Sequence, residues 1–222
     1  MASTPQISPT LPRIAVLGAG HVGTAFARVA VEAGYDVSIA ASGDPERIAL
    51  IAQILTPDAA PRWAADAVAD SDIVVLAIPL HRFAAFDPSL VRGKIVIDLM
   101  NYWAPIDGVQ AMFEDARYGS SEIVQNRLAD STVVKAFNHI GYHELESERM
   151  EAGSPDRRAL GVASDDPTAL DTVATLVDRI GYDVIRLDSL RAGRVFEPGG
   201  PVFGALLTYE EFEDAVERRV AA

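Results

Sequence analysis

Short apolar runs rich in valine and isoleucine alternate with segments of helical periodicity along most of this chain. Continuous runs of this kind predict strands buried on both faces, as in a parallel sheet. The predicted strands are Arg13–Leu17, Asp36–Ala40, Asp72–Ile78, Lys94–Leu99, Thr132–Phe137, Arg158–Ala163 and Asp183–Arg186. The predicted helices are Val22–Ala33, Pro45–Leu55, Ala64–Ala69, Ser121–Ala129, Pro167–Ile180 and Tyr209–Val220. This alternation predicts an α/β fold with helices on both faces of one sheet.

A glycine loop, Gly18-Ala-Gly20-His-Val-Gly23, joins the first strand directly to the first helix. In this context Gly18 permits the tight turn, Gly20 lets the backbone approach a pyrophosphate, and Gly23 lets helix and strand pack closely. The N–H groups and the positive dipole end of the helix then face the anion. The loop predicts a dinucleotide site in a Rossmann-type, doubly wound sheet, against the alternative of a glycine-rich turn without a ligand.

Three segments divide the predicted fold. Residues 1–12 are predicted to be a flexible tail with proline and serine, and residues 13–138 to be the Rossmann dinucleotide-binding domain. Residues 139–222 form a small C-terminal α/β extension that either continues the sheet or makes a second lobe.

The composition and net charge exclude several classes of binding partner. The formal net charge of −13 repels nucleic acid and anionic lipid, so neither is expected as a partner. No apolar run approaches the roughly 20 residues that span a bilayer, and the start of the chain has no apolar region typical of a signal peptide. The sequence has no cysteine, which excludes disulfides and thiolate metal sites. A cytoplasmic location is therefore expected.

The end of the second predicted strand indicates which dinucleotide binds. NAD-specific folds place an acid there to accept the ribose hydroxyls, whereas this strand runs into Ala40–Gly43. Ser42 and the Gly43 N–H are donors for a 2′-phosphate, and Arg47 adds charge one turn into the next helix. Asp44 more naturally caps that helix. The segment favours NADP.

Several motifs together carry a family resemblance: "IAVLGAGHVGTAFA", "DIVVLAIPLHRF", "GKIVIDLMNYW", "VVKAFNHIG" and "LDSLRAGRVFEPGG". They resemble the family of NADP oxidoreductases that use the deazaflavin coenzyme F-420, to which the NADPH-binding domains of Steap-type metalloreductases are related. The resemblance runs from about residue 13 to residue 204. The glycine loop is shared with all Rossmann enzymes, and the pairing of "AIP" with "VVKAFN" is more specific.

The resemblance implies that NADP(H) lies across the strand ends and passes its hydride directly to F-420 or a flavin-like co-substrate. It places Gly18, Gly20, His21, Val22 and Gly23 at the pyrophosphate, and Ser42 at the 2′-phosphate. It places Ile78, Pro79 and His81 beside the nicotinamide ribose, and Ala136, Phe137, Asn138 and His139 around the nicotinamide. Residues 139–222 then supply an acceptor pocket and the interface of a homodimer. Family members carry an arginine where this sequence has Ser42 and Gly43.

His139 and His143 stand four residues apart, the spacing of a zinc-binding helix. Zinc needs a third ligand, for which Glu144 is a candidate, but Gly141 interrupts the presumed helix. The preceding strand aims its carboxyl end at the cofactor cleft. The preferred interpretation is therefore a pocket wall with no metal, ahead of ordinary surface or core histidines.

Asn138 and His139 are the candidate catalytic residues. Asn138 could hold a carboxamide or carbonyl, and His139 could bind the acceptor or supply a proton. For Lys135, an amine that snorkels to solvent is slightly preferred. Tyr102 and Trp103 could form an aromatic floor for a planar acceptor, or plug the core or an interface.

Two other functions stay open. A reductase of a small carbonyl or imine would need a proton donor such as a Lys–Asp pair, and none stands out in the sequence. A non-enzymatic NADP-binding sensor is compatible with every motif, because ring-to-ring hydride transfer leaves no catalytic signature. The leading hypothesis is an NADPH-dependent oxidoreductase acting on a small-molecule hydride acceptor.

Overall fold

The computed structural model describes residues 10–220 of the chain, apart from the side chains of residues 106, 219 and 220. Most of the predicted tail, residues 1–9, lies outside the described residues. The strands are β1 Ile14–Leu17, β2 Val37–Ala40, β3 Ala60–Pro61, β4 Ile73–Leu76, β5 Ile95–Asp98, β6 Thr132–Ala136, β7 Ala159–Ala163 and β8 Asp183–Leu187.

The helices occupy the segments between the strands. They are α1 His21–Glu32, α2 Glu46–Leu55, α3 Ala64–Ala69, α4 Leu80–Phe83, α5 Ala104–Asp107, α6 Ser120–Arg127, α7 Glu144–Ser147, α8 Pro167–Ile180 and α9 Tyr209–Val220. Three 3-10 helices, Pro88–Val91, Ala111–Phe113 and Ala192–Phe196, complete the described segments. No helix within residues 10–220 is long and apolar enough to cross a membrane.

All eight strands belong to one sheet with the order β3-β2-β1-β4-β5-β6-β7-β8. Strand order reverses between β1 and β4, and the carboxyl ends of β1, β4, β5 and β6 meet there at one edge. Open α/β sheets bind ligands at such a point. Every described strand pair is parallel except β6 with β7, which is antiparallel. The predicted fold class, Rossmann-type with a mostly parallel sheet, is confirmed.

Two apolar layers explain why the strands read as unbroken hydrophobic runs. Side chains alternate across the sheet, so Ile14 and Val16 enter the layer under α1 and α8. Ala15 and Leu17 enter the layer under α3 and α6. Both faces of β1 are buried, and each layer fixes the position of its carboxyl end.

The sheet continues across the boundary predicted at residue 138. β7 and β8 extend the same sheet beyond β6, and Leu160 and Val173 share a core cluster with Ile14. Residues 139–220 therefore fold together with residues 13–138, as an extension of the sheet. β3 is not among the predicted strands. Its proline lies at the sheet edge, where a missing N–H is tolerated.

Candidate dinucleotide site

The three glycines of the loop between β1 and α1 are needed for two different reasons. A Cβ added to Gly18 would lie 2.2 Å from the Ala77 carbonyl oxygen at the end of β4. A Cβ on Gly23 would lie 1.9 Å from the Gly18 carbonyl oxygen. A Cβ on Gly20 would meet nothing within 4 Å. Packing within the protein thus accounts for Gly18 and Gly23, and Gly20 leaves an open approach to the backbone.

The N-terminus of α1 presents donors at this open position. Gly20 is the N-cap residue, in an extended conformation, and no side chain caps the helix. The first-turn N–H groups of a helix have no acceptor within the helix, and they carry its positive dipole end. Backbone space together with free donors is what a pyrophosphate requires. The residues present therefore fit the dinucleotide that the sequence analysis predicts, with His21 and Val22 both exposed at the first turn.

The end of β2 carries no acid directed at the site. The Asp44 carboxylate accepts the Glu46 N–H at 2.9 Å, so it is engaged just before α2, although the N-cap position itself is held by Pro45. Ser42, Gly43 and Arg47 are exposed around this turn, and Gly43 has a φ of 97° that favours glycine. The turn leaves a hydroxyl, a backbone N–H and a guanidinium available to a 2′-phosphate.

Cofactor choice follows from these groups. A hydrogen bond to a charged group contributes about 1.5–3 kcal/mol, so we expect a preference for NADPH over NADH of roughly ten- to a thousandfold. Ala41→Asp should reverse that preference, because its carboxylate repels the phosphate and accepts the free ribose hydroxyls. Dissociation constants for both cofactors, measured by fluorescence titration, test this expectation. Equal constants for NADPH and NADH in the unmodified protein would contradict it.

The segment after β4 lies beside the glycine loop. Ala77 contacts Gly18, Ile78 is half-buried, and Pro79 is exposed before the short helix α4. His81 is exposed on α4. The backbone of Ile78 and Pro79 thus borders the cleft where the resemblance places the nicotinamide ribose.

The turn after β6 is held in a strained conformation. Phe137 has a φ of 60°, the one positive φ among the described non-glycine residues. Left-handed backbone is costly for a bulky residue and persists only where the surroundings enforce it. Here the Phe137 ring packs edge-on against Phe26 of α1, with ring centroids 5.2 Å apart. Ala136 and Phe137 are buried, so only their backbone can border a ligand.

Asn138 and His139 lie inside the protein with their polar groups engaged. Asn138 Nδ2 donates to the Asn101 Oδ1 at 2.9 Å and to the Phe196 carbonyl at 2.8 Å. His139 Nε2 accepts the Gly161 N–H at 3.0 Å, which places the ring proton on Nδ1, 3.3 Å from the Asn138 Oδ1. The His139 ring also stacks on Phe196.

Burial, together with the positive charges of Arg158 and Lys135, which act in the same direction, lowers the pKa of His139 from 6.5 to about 3. The ring is neutral at physiological pH, and protein groups occupy both of its nitrogens. The expectation that His139 supplies a proton or binds the acceptor is therefore corrected. The structure gives His139 a packing position between β6, β7 and the 3-10 helix Ala192–Phe196.

The two histidines do not share a helix face. His143 is exposed just before α7, whereas His139 is 2 % exposed in the turn after β6. His143 instead packs against Tyr142, which stacks on His21 at the start of α1 with ring centroids 5.2 Å apart. Within residues 10–220, no three potential ligands lie close enough together to hold a metal ion.

The Lys135 side chain does not extend to solvent as predicted. Its side chain is 1 % exposed and does not reach solvent. The Nζ lies 3.6 Å from the Asp98 Oδ2 and 3.2 Å from the Ser120 Oγ. Asp98 is its register partner on β5, so both side chains point to the same face of the sheet. A Lys–Asp pair that sequence inspection did not find thus exists, sealed from solvent.

The Tyr102 side chain packs against neighbouring residues beside the cleft. Its ring stacks on Phe113 with centroids 5.5 Å apart, and its hydroxyl donates to Glu114 and accepts the Gln110 N–H. Trp103 is half exposed. Trp103 therefore keeps ring surface open to a planar molecule.

Sequence reasoning missed Asn101. Its Nδ2 donates to the Asn138 carbonyl at 2.6 Å, and its Oδ1 accepts from Asn138 in return. This reciprocal pair joins the carboxyl ends of β5 and β6. The available signal was its place as the first polar residue beyond a buried strand, at the edge where cofactors bind.

The doubly wound sheet, the open glycine loop and the uncapped N-terminus of α1 define a dinucleotide-binding protein of the Rossmann class. Residues 13–102 match the model of the family described as "NADP oxidoreductase coenzyme F420-dependent". The matched segment runs from β1 to the residues that follow β5. The family predicted from the motifs is confirmed, and the chain is by class an NADP(H)-dependent oxidoreductase. No curated protein matches the sequence at a significant level.

Solved structures share the fold over most of the chain. A protein from Arthrobacter sp. FB24, described as a "putative F420 dependent NADP-reductase", has 24% sequence identity and a TM-score of 0.69, with 83% of this chain and 90% of that one covered. A hypothetical protein from Sinorhizobium meliloti has 25% identity and a TM-score of 0.74, with 89% and 96% covered. An imine reductase from Pseudomonas sp. has 15% identity and a TM-score of 0.53, with 82% and 58% covered.

Proposed function

We propose that the protein transfers a hydride between NADP(H) and a deazaflavin such as F-420, or a flavin-like acceptor. The observation that carries the proposal is the open position at Gly20, in a loop whose other two glycines are fixed by protein contacts. The family match supports NADP as the dinucleotide. When bound, the cofactor supplies a hydride from its nicotinamide ring.

The segments that follow the strands then each bind or orient one part of the cofactor. The first turn of α1 binds the pyrophosphate through its N–H groups, and the turn after β2 binds the 2′-phosphate. The backbones of Ile78, Pro79 and Phe137 enclose the nicotinamide end of the cleft. Hydride transfer between two rings needs fixed distance and exclusion of water more than it needs acid–base groups. The hydrogen-bonded pair of the half-buried Asn101 and the buried Asn138 supplies a rigid wall for this purpose.

Asn138 keeps a role under this proposal as a positioning residue. Its amide is fully used in holding Asn101 and Phe196, so replacing it disturbs the wall and removes no free donor. His139 supports the same wall from behind, through its contact with the Asn138 Oδ1. Both residues act through their neighbours.

A planar acceptor fits this site better than a small imine does. A reductase of small imines or carbonyls needs a proton donor that reaches the substrate. The candidate Lys135–Asp98 pair is 1 % exposed at both side chains. The similarity to imine reductases is a similarity of fold. The expected homodimer and cytoplasmic location stay predictions.

NADPH oxidation against a panel of acceptors tests the proposal. We expect turnover with F-420, a simple 5-deazaflavin or free FMN, and little or none with a small cyclic imine or a quinone. Absorbance loss of NADPH gives the rates, and NADH serves as the matched cofactor control. Binding of NADPH without turnover of any acceptor would favour the sensor interpretation.

A further inference from the structure

Helix α2 carries apolar side chains on two sides. On one side, Ile48 and Ala52 are buried in the core. On the other side, four large apolar side chains are between 41 % and 68 % exposed: Leu50, Ile51, Ile54 and Leu55. These four residues form the outer face of α2. A surface helix normally turns polar residues away from the core, and a helix that is apolar on both sides is normally buried on both.

The outer face of α2 is contiguous. Residues three and four positions apart lie on one side of a helix, so Leu50 and Ile51 lie one turn before Ile54 and Leu55. Apolar residues that are exposed singly are ordinary, whereas a contiguous apolar patch indicates a surface that binds another molecule. The outer face is therefore interpreted as an interaction surface.

The charges around the outer face narrow the kind of partner. The sequence of α2 contains one acidic and one basic residue, Glu46 and Arg47, so its formal charge is zero. The whole chain carries −13, and acidic surfaces of two copies repel each other. Two copies can therefore approach at least cost through an uncharged face such as this one. A strongly charged partner finds no complementary charge on the outer face.

A second copy of this chain offers a matching apolar face, and the order of its residues fits a two-fold axis. In an antiparallel pair of α2 helices centred on the middle of the outer face, Ile51 meets Ile54 of the second copy. In the same register, Leu50 meets Leu55 of the second copy. A two-fold interface joins the same patch on both subunits, so each contact occurs twice.

The charged residues at the two ends of the outer face match in this register as well. Arg47 lies in the first turn of α2, Asp58 lies just beyond the last turn, and both are exposed. Antiparallel pairing places Arg47 of each copy near Asp58 of the other, so both ends carry opposite charges. Because an arginine has five N–H donors, this contact leaves donors at the turn after β2 for a 2′-phosphate.

We propose that the outer face of α2 is the interface of a two-fold homodimer, in which α2 packs antiparallel against α2 of the second copy. The family resemblance instead implies an interface within residues 139–222. The proposal goes beyond the proposed function and does not depend on it, because association requires no bound cofactor. One helix face is smaller than the about 800 Å² per partner of a standard interface, so we expect dissociation at roughly micromolar concentrations.

Sedimentation equilibrium without cofactor tests the interface. Between roughly 1 μM and 1 mM, the unmodified protein should pass from monomer to dimer. Ile54→Glu should weaken dimerisation at least about a hundredfold, because each copy loses an apolar side chain from the interface. Ile54 is 68 % exposed and glutamate favours helix, so the variant should fold normally, which circular dichroism checks.

Leu206→Glu is the matched control. Leu206 is 61 % exposed and lies within residues 139–222, where the resemblance implies the interface. We expect this variant to dimerise as the unmodified protein does. Loss of the dimer in Leu206→Glu, together with its survival in Ile54→Glu, would overturn the proposal and assign the interface to residues 139–222.

An exchange of charges tests the antiparallel register. Arg47→Asp places an acid at both ends of the face, and Asp58→Arg places an arginine at both ends. Each variant therefore repels its own copies, whereas a mixed dimer has opposite charges at both ends. Native mass spectrometry of an equal mixture should show the mixed dimer enriched roughly threefold or more over random pairing. Random pairing of the two variants would refute the antiparallel register.

The remaining outcomes decide the proposal separately from the proposed function. A protein that stays monomeric at every concentration that can be reached refutes the interface, as does a dimer that persists in Ile54→Glu. Neither result affects hydride transfer, which the panel of acceptors tests. A dimer that is lost in Ile54→Glu, kept in Leu206→Glu and enriched in the mixed pair supports the proposal.

Discussion

Replacing Gly20 by valine is expected to weaken NADPH binding at least about a hundredfold while the protein stays folded. A β-branched side chain at this position occupies the space through which a pyrophosphate approaches the backbone, and the loss of two charge-assisted hydrogen bonds accounts for about that factor. Within the protein, the added Cβ meets nothing within 4 Å. The backbone of Gly20 is extended, which valine adopts readily.

Gly23→Ala is the matched comparison, and its main expected effect is on stability. Its Cβ would lie 1.9 Å from the Gly18 carbonyl oxygen, so helix and strand must separate. We expect a loss of stability on the order of 1–3 kcal/mol, measured by denaturant unfolding, alongside weaker binding. Titration with NADPH and unfolding of both variants give the comparison. Wild-type affinity in Gly20→Val would contradict the phosphate assignment.

Acid is expected to destabilise the protein through His139. The native pKa is about 3 and the ordinary pKa is 6.5, so over that interval the unfolded chain binds a proton that the native protein does not. The contribution is therefore fully present above about pH 6.5 and is lost as pH falls towards 3, by about 1.4 kcal/mol per unit. The total approaches roughly 4–5 kcal/mol near pH 3.

Comparison with His139→Gln isolates the contribution of His139 to the pH dependence of the free energy of unfolding. The carboxylates titrate equally in both proteins and therefore cancel. Glutamine can still accept the Gly161 N–H, but it does not titrate. Unfolding in denaturant at several pH values between 7 and 4 should show the stability advantage of the unmodified protein shrinking as pH falls. A constant difference across that range would mean that the native pKa of His139 is not lowered from its ordinary value.

Much of the fold could be predicted from the sequence, because unbroken apolar runs indicate strands that are buried on both faces. The runs around Ile14, Val74 and Val133 could only be central strands, and the glycine loop located the switch point. The direction of β7 could not be predicted, because a strand buried on both faces has the same pattern in either orientation. β3 could not be predicted, because a strand of two residues at the sheet edge is too short to show a hydrophobic periodicity.

The backbone of the site could be predicted from the sequence, whereas the contacts of its side chains could not. The glycine spacing identified the phosphate loop, since each glycine has a local geometric cause. The burial of Lys135 depends on Asp98, 37 residues away along the chain, and a local pattern does not contain that contact. The lowered pKa of His139 depends likewise on its burial and on the charge of Arg158, neither of which a local pattern contains. The reciprocal hydrogen bonds between Asn101 and Asn138 likewise follow only from the three-dimensional contacts.

Isotope transfer tests the central claim most directly. NADPH carrying deuterium at the reactive carbon of its nicotinamide ring is incubated with the protein and F-420, and the reduced deazaflavin is analysed by mass spectrometry. Direct hydride transfer at the proposed site predicts that the label appears on the central ring of the deazaflavin, and that Gly20→Val greatly slows its appearance. Oxidised cofactor with no label in the deazaflavin, or no oxidation at all, would contradict the account.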